Sequence, residues 1–367
     1  MLAITLSALA VLAGLLPTAL AQTHTDCNPL NTTGCPDMPA LGGNYTFDFN
    51  KTMSEKIWTE SNQGSVDRRD DGTTFTIEGS GDAPTLKSTF YLFFGRVSII
   101  MKAANGQGIV SSAILQSECL DEIDWEFLGS NTTHVMTNYF GKGNTTDYTR
   151  GKEFAMAAPQ EDFHNYTLDW TAERIQWWLD GKMLRELKYG EALGGKNYPQ
   201  TPMNIRLGSW SGGDVKNNDP GVVEWAGGAT DFKKGPFVMT VREIYAEDYH
   251  TAKTYSWANM DATGDWQKVK VVEGKSESLE EAQKPHGVKN RIMALSQTAK
   301  IAIAGGVLGF VLILSCFITI CCVKQRRAGR KEFAEIQAQE DKEAAELREY
   351  KNKMAAGHFG YAGGNRV

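Results

Sequence analysis

The sequence predicts an all-β domain in which two sheets pack face to face as a sandwich. Runs of β-branched and aromatic residues alternate with turn signals from residue 44 to about residue 249, and long helical periods are missing there. Asp180-Gly181 separates two such runs, and this dipeptide is a strong signal for a two-residue hairpin. Many short strands without long helices favour a two-sheet sandwich, and a single domain of about 220 residues is a reasonable size for one.

The candidate strands follow one another between these turns. They span residues 73–77, 90–102, 166–170, 174–179, 183–187 and 238–245. The last run is expected to close the sandwich. Trp170 and Trp177 lie in such strands and are expected to pack in the core, which is the usual place for a Trp side chain.

One further run, residues 121–128, alternates acidic and apolar side chains with period two, which predicts a strand with two unlike faces. Glu122, Asp124 and Glu126 share one face, opposite a core-facing set of Ile, Trp and Phe. Like charges in a row repel each other, and crowding raises the pKa of at least one carboxyl group. A proton donor that works near neutral pH needs that shift, so this row is the candidate catalytic centre. The alternative is a solvated acidic edge strand.

Both ends of the row are Glu, the longer acid. Their Cα atoms would lie about 13 Å apart on a flat strand. A curved sheet and inward-leaning side chains would bring the carboxyl groups to about 5–5.5 Å, the spacing of a retaining glycosidase. We therefore predict that Glu122 is the nucleophile and Glu126 the acid/base. Asp124 would orient the nucleophile and keep the two pKa values apart.

The Glu-Ile-Asp-x-Glu motif resembles the signature of glycoside hydrolase family 16, in the form that lacks a β-bulge. Residues 88–103, 163–170, 175–181, 206–214 and 224–228 resemble the fungal Crh-type cell-wall transglycosylases. The resemblance runs from about residue 27 to about residue 249. It implies a concave β-jelly roll, chitin as the donor and β-glucan as the acceptor.

Several further residues are candidates for the substrate cleft. The resemblance implies that Arg206 and Trp210 contact the chitin donor together with Glu126. Trp210 and Trp225 are flanked by small residues, which predicts approachable rings. Val222 stands where the family often has Thr, so no hydroxyl contact is expected from that side chain. Two other residues, Tyr91 and Arg96, line the cleft or else pack ordinarily in their strands.

The N-terminal features indicate secretion. Residues 1–21 are apolar and end in a small-x-small pattern, which predicts a signal peptide and a mature chain from about residue 22. Cys27 and Cys35 bracket a short loop and are expected to pair in an oxidising compartment; two free thiols are the alternative. Cys119 is expected to be buried and inert. Six Asn-x-Ser/Thr sequons predict a glycosylated surface: Asn31, Asn44, Asn50, Asn131, Asn144 and Asn165.

The C-terminal part changes in composition. Residues 251–300 are polar and are predicted to form a linker or stalk between a catalytic domain of residues 22–250 and the membrane. From Ile301 to Val323 the chain is apolar and long enough to span a bilayer. The basic residues that follow predict a cytoplasmic C-terminus, and so a single-pass type I plasma-membrane protein whose catalytic domain faces the wall. A glycolipid anchor would put the apolar run at the extreme C-terminus, whereas residues 324–367 follow it and are predicted to form a charged helical tail.

Composition narrows the function further. The formal net charge is −6, and no basic patch lies outside the juxtamembrane segment, which argues against a nucleic-acid partner. No Cys/His spacing predicts a metal site, and no cofactor is expected. The leading hypothesis is a retaining transglycosylase that joins chitin to β-glucan in the fungal wall. An endo-β-glucanase with the same residues and a non-catalytic wall glycan sensor are the alternatives, and the sequence leaves the oligomeric state open.

Overall fold

The computed structural model of the chain describes residues 25–146 and 149–356. The predicted signal peptide, residues 1–21, lies outside the described residues. The chain divides into two compact units, one that ends at Arg291 and one that begins at Ile292. The first unit contains every strand of the described chain and is taken first.

Two antiparallel sheets form the body of the first unit. In spatial order, the seven-stranded sheet consists of β11 (Lys152–Ala155), β10 (His134–Phe140), β9 (Glu122–Leu128), β8 (Ile109–Ser117), β15 (Met203–Ser211), β6 (Thr85–Ser88) and β3 (Trp58–Glu60). The eight-stranded sheet consists of β14 (Lys182–Lys188), β13 (Arg174–Leu179), β12 (His164–Trp170), β7 (Gly95–Lys102), β16 (Phe237–Asp248), β5 (Gly72–Ile77) and β4 (Ser65–Arg69), with β2 (Asn44–Asp48) also paired to β16. The predicted all-β sandwich is confirmed.

The core lies between the two sheets and is rich in aromatic rings. On β9, Ile123, Trp125 and Phe127 are fully buried, as the alternation predicted. Trp125 and Phe127 meet Tyr166 of β12 edge to face, with ring centroids 5.5 and 4.8 Å apart. These contacts fix β9 against the opposite sheet, and they oblige its acidic residues to point away from the core.

Trp170 and Trp177 are fully buried, which confirms the prediction that they pack in the core. Trp177 also crosses the sandwich, since its Nε1 donates a hydrogen bond of 3.0 Å to the backbone carbonyl of Asp124. A tryptophan from the eight-stranded sheet thus holds the acidic strand at its midpoint.

The predicted hairpin is present between β13 and β14. Asp180 and Gly181 both adopt positive φ, 49° and 79°, as a type I′ turn requires. The run at residues 238–245 was expected to be the closing strand, and it lies in the last strand, in chain order, of the two large sheets. It belongs to β16, which pairs with β7 and β5 and therefore lies inside the eight-stranded sheet.

The predicted linker also needs correction, because most of residues 251–300 belongs to the folded unit. A third small sheet joins β1 (Met38–Pro39), β17 (Thr254–Ser256) and β18 (Lys270–Val272). Tyr255 of β17 is fully buried. Ser276 caps α2 (Glu277–Ala282) and donates a hydrogen bond of 2.6 Å to the carbonyl of Ala40. A few buried aromatic and aliphatic side chains anchor this segment although its overall composition is polar.

Three other α-helices lie in the described chain. α1 (Pro220–Trp225) follows β15, and α3 (Gly287–Ala294) comes after the small sheet. The second unit consists mainly of α4 (Gln297–Ala355), a helix of 59 residues that contains the predicted membrane segment and the start of the charged tail. Its apolar part is long and hydrophobic enough to cross a membrane.

The cysteines of the first unit agree with the sequence expectations. Cys27 and Cys35 form a disulfide that closes the N-terminal loop. Cys119 is buried and free, and burial raises the pKa of its thiol. A protonated buried thiol is unreactive, so Cys119 acts as a small apolar residue.

Candidate active site

The candidate site lies on the face of the seven-stranded sheet that is turned away from the core, called here the site face. Glu122, Asp124 and Glu126 project from β9 onto this face. Glu122 is only 8% exposed and Asp124 only 1%, whereas Glu126 is half-buried. Outward-facing side chains would normally be wet, so their burial shows that the site face is walled in as a cleft.

The strand register decides which side chains share the cleft with the carboxylates. On β8, Gln116, Ile114 and Ser112 lie opposite Glu122, Asp124 and Glu126, respectively. On β15, Asn204, Arg206 and Gly208 continue the same three rows. Across the sheet, the neighbours of Glu126 are therefore Ser112 and then Gly208. Both residues are small, so they leave room beside the carboxyl group of Glu126.

Glu122 is held by a neutral hydrogen-bond donor. Gln116 is fully buried, and its Nε2 donates a hydrogen bond of 2.8 Å to Glu122 Oε2. A donor to a carboxylate favours its ionised form and fixes its direction. Gln116 was not predicted to belong to the site; the only signal was an amide side chain that follows the apolar run Ala113 to Leu115 of a strand that also contains three Ser residues.

Asp124 has a different environment. Burial raises its pKa well above the ordinary range, and the charges of Glu122 and Glu126 act in the same direction. Among the described residues, no N–H group or hydroxyl donates a hydrogen bond to either carboxyl oxygen of Asp124. A protonated Asp124 satisfies itself by donating to Glu122, the contact that also contributes to its raised pKa. It is therefore placed to orient the nucleophile candidate.

Glu126 combines access with a raised pKa. Burial, and secondarily the negative charge of Glu122, raises its pKa to about 7. Because Glu126 is half-buried, a substrate in the cleft can reach it. A carboxyl group that remains largely protonated near neutral pH and touches the cleft can donate a proton to a leaving group.

Two tryptophans form one wall of the cleft. Trp210 follows Gly208 on the site face of β15, and Trp225 ends α1. Both are half-buried, and their rings stack with centroids 6.1 Å apart and planes 19° apart. Half-buried indole faces suit the apolar C–H faces of sugar rings. Val222 lies half-buried on α1, one turn before Trp225, and offers no hydroxyl.

The glycine-rich segments beside these tryptophans allow two chain segments to approach closely. The amide of Gly213 donates to the carbonyl of Gly108 at 2.8 Å, and a Cβ on Gly213 would collide with the carbonyl of Gly228. Asp214 then fixes the loop that leads to α1 by accepting hydrogen bonds from Ser80 and Asn217, both at 2.7 Å. The position of Trp225 therefore depends on several distant segments.

Arg206 lies four residues before Trp210 on the same face of β15, and it is 3% exposed. Arg206 Nε donates to Asn204 Oδ1 at 2.9 Å, and its charge interacts with Glu118 and Glu122. Glu118 accepts hydrogen bonds of 2.5 Å from Tyr91 and from Thr25 near the start of the described chain. Tyr91 is therefore a buried wall residue whose hydroxyl is used within the protein.

Arg96 does not belong to the cleft, and the prediction that it lines the cleft is wrong. It lies on β7 of the eight-stranded sheet, where Val97 and Ile99 face the core. Arg96 therefore points to the outer side of the opposite sheet, and it forms an ion pair of 3.7 Å with Asp169. The alternation along β7 separates its two faces, but it cannot tell which sheet contains the strand.

The predicted sequons can also be placed. Of the sequons, Asn31, Asn44 and Asn50 are exposed, and Asn131, Asn144 and Asn165 are half-buried. Within residues 25–146 and 149–356, no group of three His, Cys, Asp or Glu side chains is arranged to hold a metal ion.

A walled carboxylate row on a β-sandwich defines the class of protein as a carbohydrate-active enzyme with a glycosidase-type centre. The model for glycosyl hydrolases family 16 matches residues 51–227. A Crh-like protein of Arthroderma benhamiae is 50% identical over 331 residues, which is 90% of each chain. Crh-like protein 2 of Botryotinia fuckeliana is 49% identical, over 89% of this chain and 73% of the relative.

A solved structure agrees with these relatives. The structure titled Crh5 transglycosylase in complex with NAG superposes with a TM-score of 0.63 and 47% identity, over 67% of this chain and 99% of that chain. The chain belongs to the Crh-like proteins of glycosyl hydrolase family 16, and it is a transglycosylase of that glycoside hydrolase family.

Proposed function

We propose that this protein cuts a chitin chain and joins the released end to β-glucan in the cell wall by double displacement. The observation that carries the proposal is the row of three carboxyl groups in which each has its own environment. Glu122 accepts a hydrogen bond from Gln116, Asp124 is buried without an outside donor, and Glu126 has a pKa of about 7.

In the first displacement, Glu126 donates its proton to the glycosidic oxygen of the donor while Glu122 attacks the anomeric carbon. The C–O bond to the leaving sugar breaks, and an ester bond between the donor and Glu122 forms. Asp124 holds the Glu122 carboxylate in line for the attack. The small residues beside Glu126 in its row give the scissile oxygen room to approach the acid.

In the second displacement, a hydroxyl group of the acceptor enters the same position. Glu126, now ionised, takes the proton of that hydroxyl, and the acceptor oxygen attacks the anomeric carbon. The ester bond to Glu122 breaks, and a new glycosidic bond joins donor and acceptor. Trp210, Trp225 and Arg206 are proposed to bind the donor, because Trp210 and Arg206 share the site face of β15 on one side of the carboxylate row and Trp225 stacks on Trp210.

The preference for chitin rests on likeness. The related solved structure, at 47% identity, is titled a transglycosylase in complex with NAG, and an N-acetylglucosamine unit is the repeating unit of chitin. No feature of the cleft favours hydrolysis over transfer, so the endo-glucanase and the sensor remain outcomes of the test below. We also propose that α4 anchors the enzyme as a type I membrane protein, which keeps the active site at the wall.

The test compares the ectodomain, residues 25–291, with its Glu122→Gln variant. The substrates are a chitin oligosaccharide donor and a fluorescent laminarin-type acceptor, and mass spectrometry reads the labelled products. We expect a labelled hybrid longer than the acceptor from the parent protein and none from the variant. Glu186→Gln, an exposed change on the eight-stranded sheet, is the matched control and should leave transfer intact.

Each other result has a defined meaning. Undiminished transfer by Glu122→Gln would refute the role of Glu122. Shortened donor without a labelled hybrid would make the protein an endo-acting hydrolase. Glycan binding without any turnover by the parent protein would favour the sensor.

A further inference from the structure

Arg150, in the connection between β10 and β11, has an unusual environment. It is 8% exposed, and only its Nη2 has a protein partner, the carbonyl of Asn144 at 2.5 Å. Its Nε and Nη1 are buried with no hydrogen-bond partner among the described residues. Buried guanidinium groups normally pair with acceptors, because an unpaired buried charge is costly. The position of Arg150 therefore needs an explanation beyond stability.

The guanidinium of Arg150 packs on aromatic side chains next to Glu122, the nucleophile candidate. Its Cζ lies 4.6 Å from the ring centroid of Phe140 and 5.8 Å from that of Tyr139. Phe140 is the direct cross-strand partner of Glu122, and Tyr139 that of Ile123. Phe140 therefore lies on the site face, and Arg150 rests on the aromatic side chain next to Glu122.

A second buried arginine fixes this arrangement from the core side. Arg185 of β14 donates from Nη2 to the backbone carbonyl of Arg150 and from Nη1 to the carbonyl of Thr137, both at 2.9 Å. Its Cζ lies 4.7 Å from the Trp177 ring. Because Trp177 also holds the backbone of Asp124, one chain of contacts joins the acidic strand to the backbone of Arg150.

We propose that Arg150 is a positioning residue whose buried positive charge, held over Phe140 beside Glu122, stabilises the one ionised carboxylate of the row. This proposal deepens the function proposed above and rests on it. A direct contact between the guanidinium and a sugar is not part of it, since the unpaired nitrogen atoms are shielded from solvent.

The charged groups around the row can be named. On β9 itself they are Glu122, Asp124 and Glu126. Positive charge comes from Arg206 on β15, Arg185 on β14 and Arg150. Near the β8–β9 turn, Glu118 accepts from Tyr91 and Asp121 pairs with Lys142 at 3.6 Å. Gln116, Ile114 and Ser112 of β8 and the site-face residues Phe140, Asn138 and Met136 of β10 carry no charge.

The sign of the effect follows from these charges. A positive charge near the row favours ionised carboxyl groups and lowers their pKa values, and Arg150 acts on Asp124 in this direction against its burial. Without that charge, the row binds its protons more tightly. The pH at which the nucleophile becomes ionised, and the pH at which the acid loses its proton, should therefore both move upward.

The experiment measures kcat/KM against pH for the ectodomain, residues 25–291, and for Arg150→Met. The acidic limb of the profile should move up by about 0.5–1 pH unit in Arg150→Met, with a smaller shift of the basic limb in the same direction. Arg150→Lys keeps the charge and should restore the profile. Arg242→Met is the matched control, because Arg242 also packs on a phenylalanine, Phe163, with its Cζ 3.7 Å from the ring centroid.

A second readout does not depend on turnover. The side-chain ¹³C resonance of Asp124 can be titrated by NMR, and the Asp124 pKa should rise further in Arg150→Met but not in Arg150→Lys, because Arg150 acts on Asp124. If the parent protein shows no transfer, the proposed function fails, while this titration still tests the role of Arg150.

Three results would overturn the proposal. The first is a folded Arg150→Met variant with unchanged pH limbs and an unchanged Asp124 titration. The second is an equal shift in Arg242→Met. If Arg150→Met does not fold, Arg150→Gln replaces it in both measurements, because it removes the charge but keeps polar groups. The third result is that neither Arg150→Met nor Arg150→Gln folds while Arg150→Lys does. That outcome would assign Arg150 to stability alone.

Discussion

Three acidic side chains that lie two residues apart on one strand have three different environments. Glu122 accepts from a buried amide, Asp124 is buried between two other acids, and Glu126 is open to the cleft. Since the residues are so alike, their proposed division of labour comes from these surroundings. Burial and like charge hold protons on two of them, and a neutral donor stabilises charge on the third.

Gln116 provides a prediction at the scale of one residue. Replacing it by Leu removes the donor to Glu122, and hydrogen bonds to charged groups are worth about 1.5–3 kcal/mol. We expect kcat/KM for transfer to fall by about 10- to 100-fold, because the nucleophile loses both its orientation and part of its ionisation. Steady-state kinetics on the ectodomain measure this.

The matched control for Gln116→Leu is Gln176→Leu. Gln176 donates to Glu186 at 2.6 Å in the same way, but on the outer side of the eight-stranded sheet. It should leave kcat/KM unchanged. A folded Gln116→Leu variant with parental activity would show that Glu122 does not depend on this hydrogen bond.

At the scale of elements, the structure of a segment could be predicted from its sequence where its two faces differ clearly in polarity. β9 was predictable because its apolar and acidic faces alternate without a break. Residues 251–282 were not, because their few buried side chains, such as Tyr255 and Trp257, are scattered among polar residues. A segment whose buried residues meet distant partners has no local period to reveal it.

The packing of this segment predicts where the ectodomain can be cut. A chain that ends at Tyr249 loses β17, β18 and α2 and exposes the groove where Tyr255 is buried. Full burial of one large side chain contributes about 1.5–3 kcal/mol, and the whole domain is stable by only about 5–15 kcal/mol. We therefore expect the short form to be insoluble or to melt far lower than a form that ends at Arg291.

Thermal denaturation followed by circular dichroism compares the two forms. Tyr255→Ala in the longer form isolates the contribution of one buried side chain and should lower the melting temperature by several degrees. Equal melting temperatures for the long and short forms would show that residues 251–291 are a passive linker after all.

At the scale of the whole molecule, a β-sandwich of about 260 described residues and a long helix form two separate units. The helix carries an apolar segment followed at once by basic residues. This order favours a membrane anchor with the sandwich outside and the charged tail inside. An anchored enzyme of this kind would act on wall polymers next to the plasma membrane.

The topology can be tested on the full chain with a C-terminal epitope tag, made in microsomes. Alkaline carbonate should leave the protein in the membrane, and added protease should remove the tag while the sandwich stays protected. The form that ends at Arg291 is the control and should be released by carbonate. A protected tag, or release of the full chain by carbonate, would contradict the type I arrangement.

The sequence by itself determined the features that depend on local pattern. Alternation gave the strand that carries Glu122, Asp124 and Glu126 and the face they share, and short-range signals gave the Asp180-Gly181 turn, the Cys27–Cys35 pair and the apolar segment of α4. Each of these follows from the chemistry of neighbouring residues in the chain.

Only the tertiary structure decided which strands meet. Pairing of β8 with β9 brought Gln116 to Glu122, while the separation of β7 into the other sheet removed Arg96 from the cleft. The contact of Arg150 with Phe140, and that of Trp225 with Trp210, likewise join segments far apart in sequence. Strand register and sheet membership are set by the summed packing of the whole core, and no local pattern contains that sum.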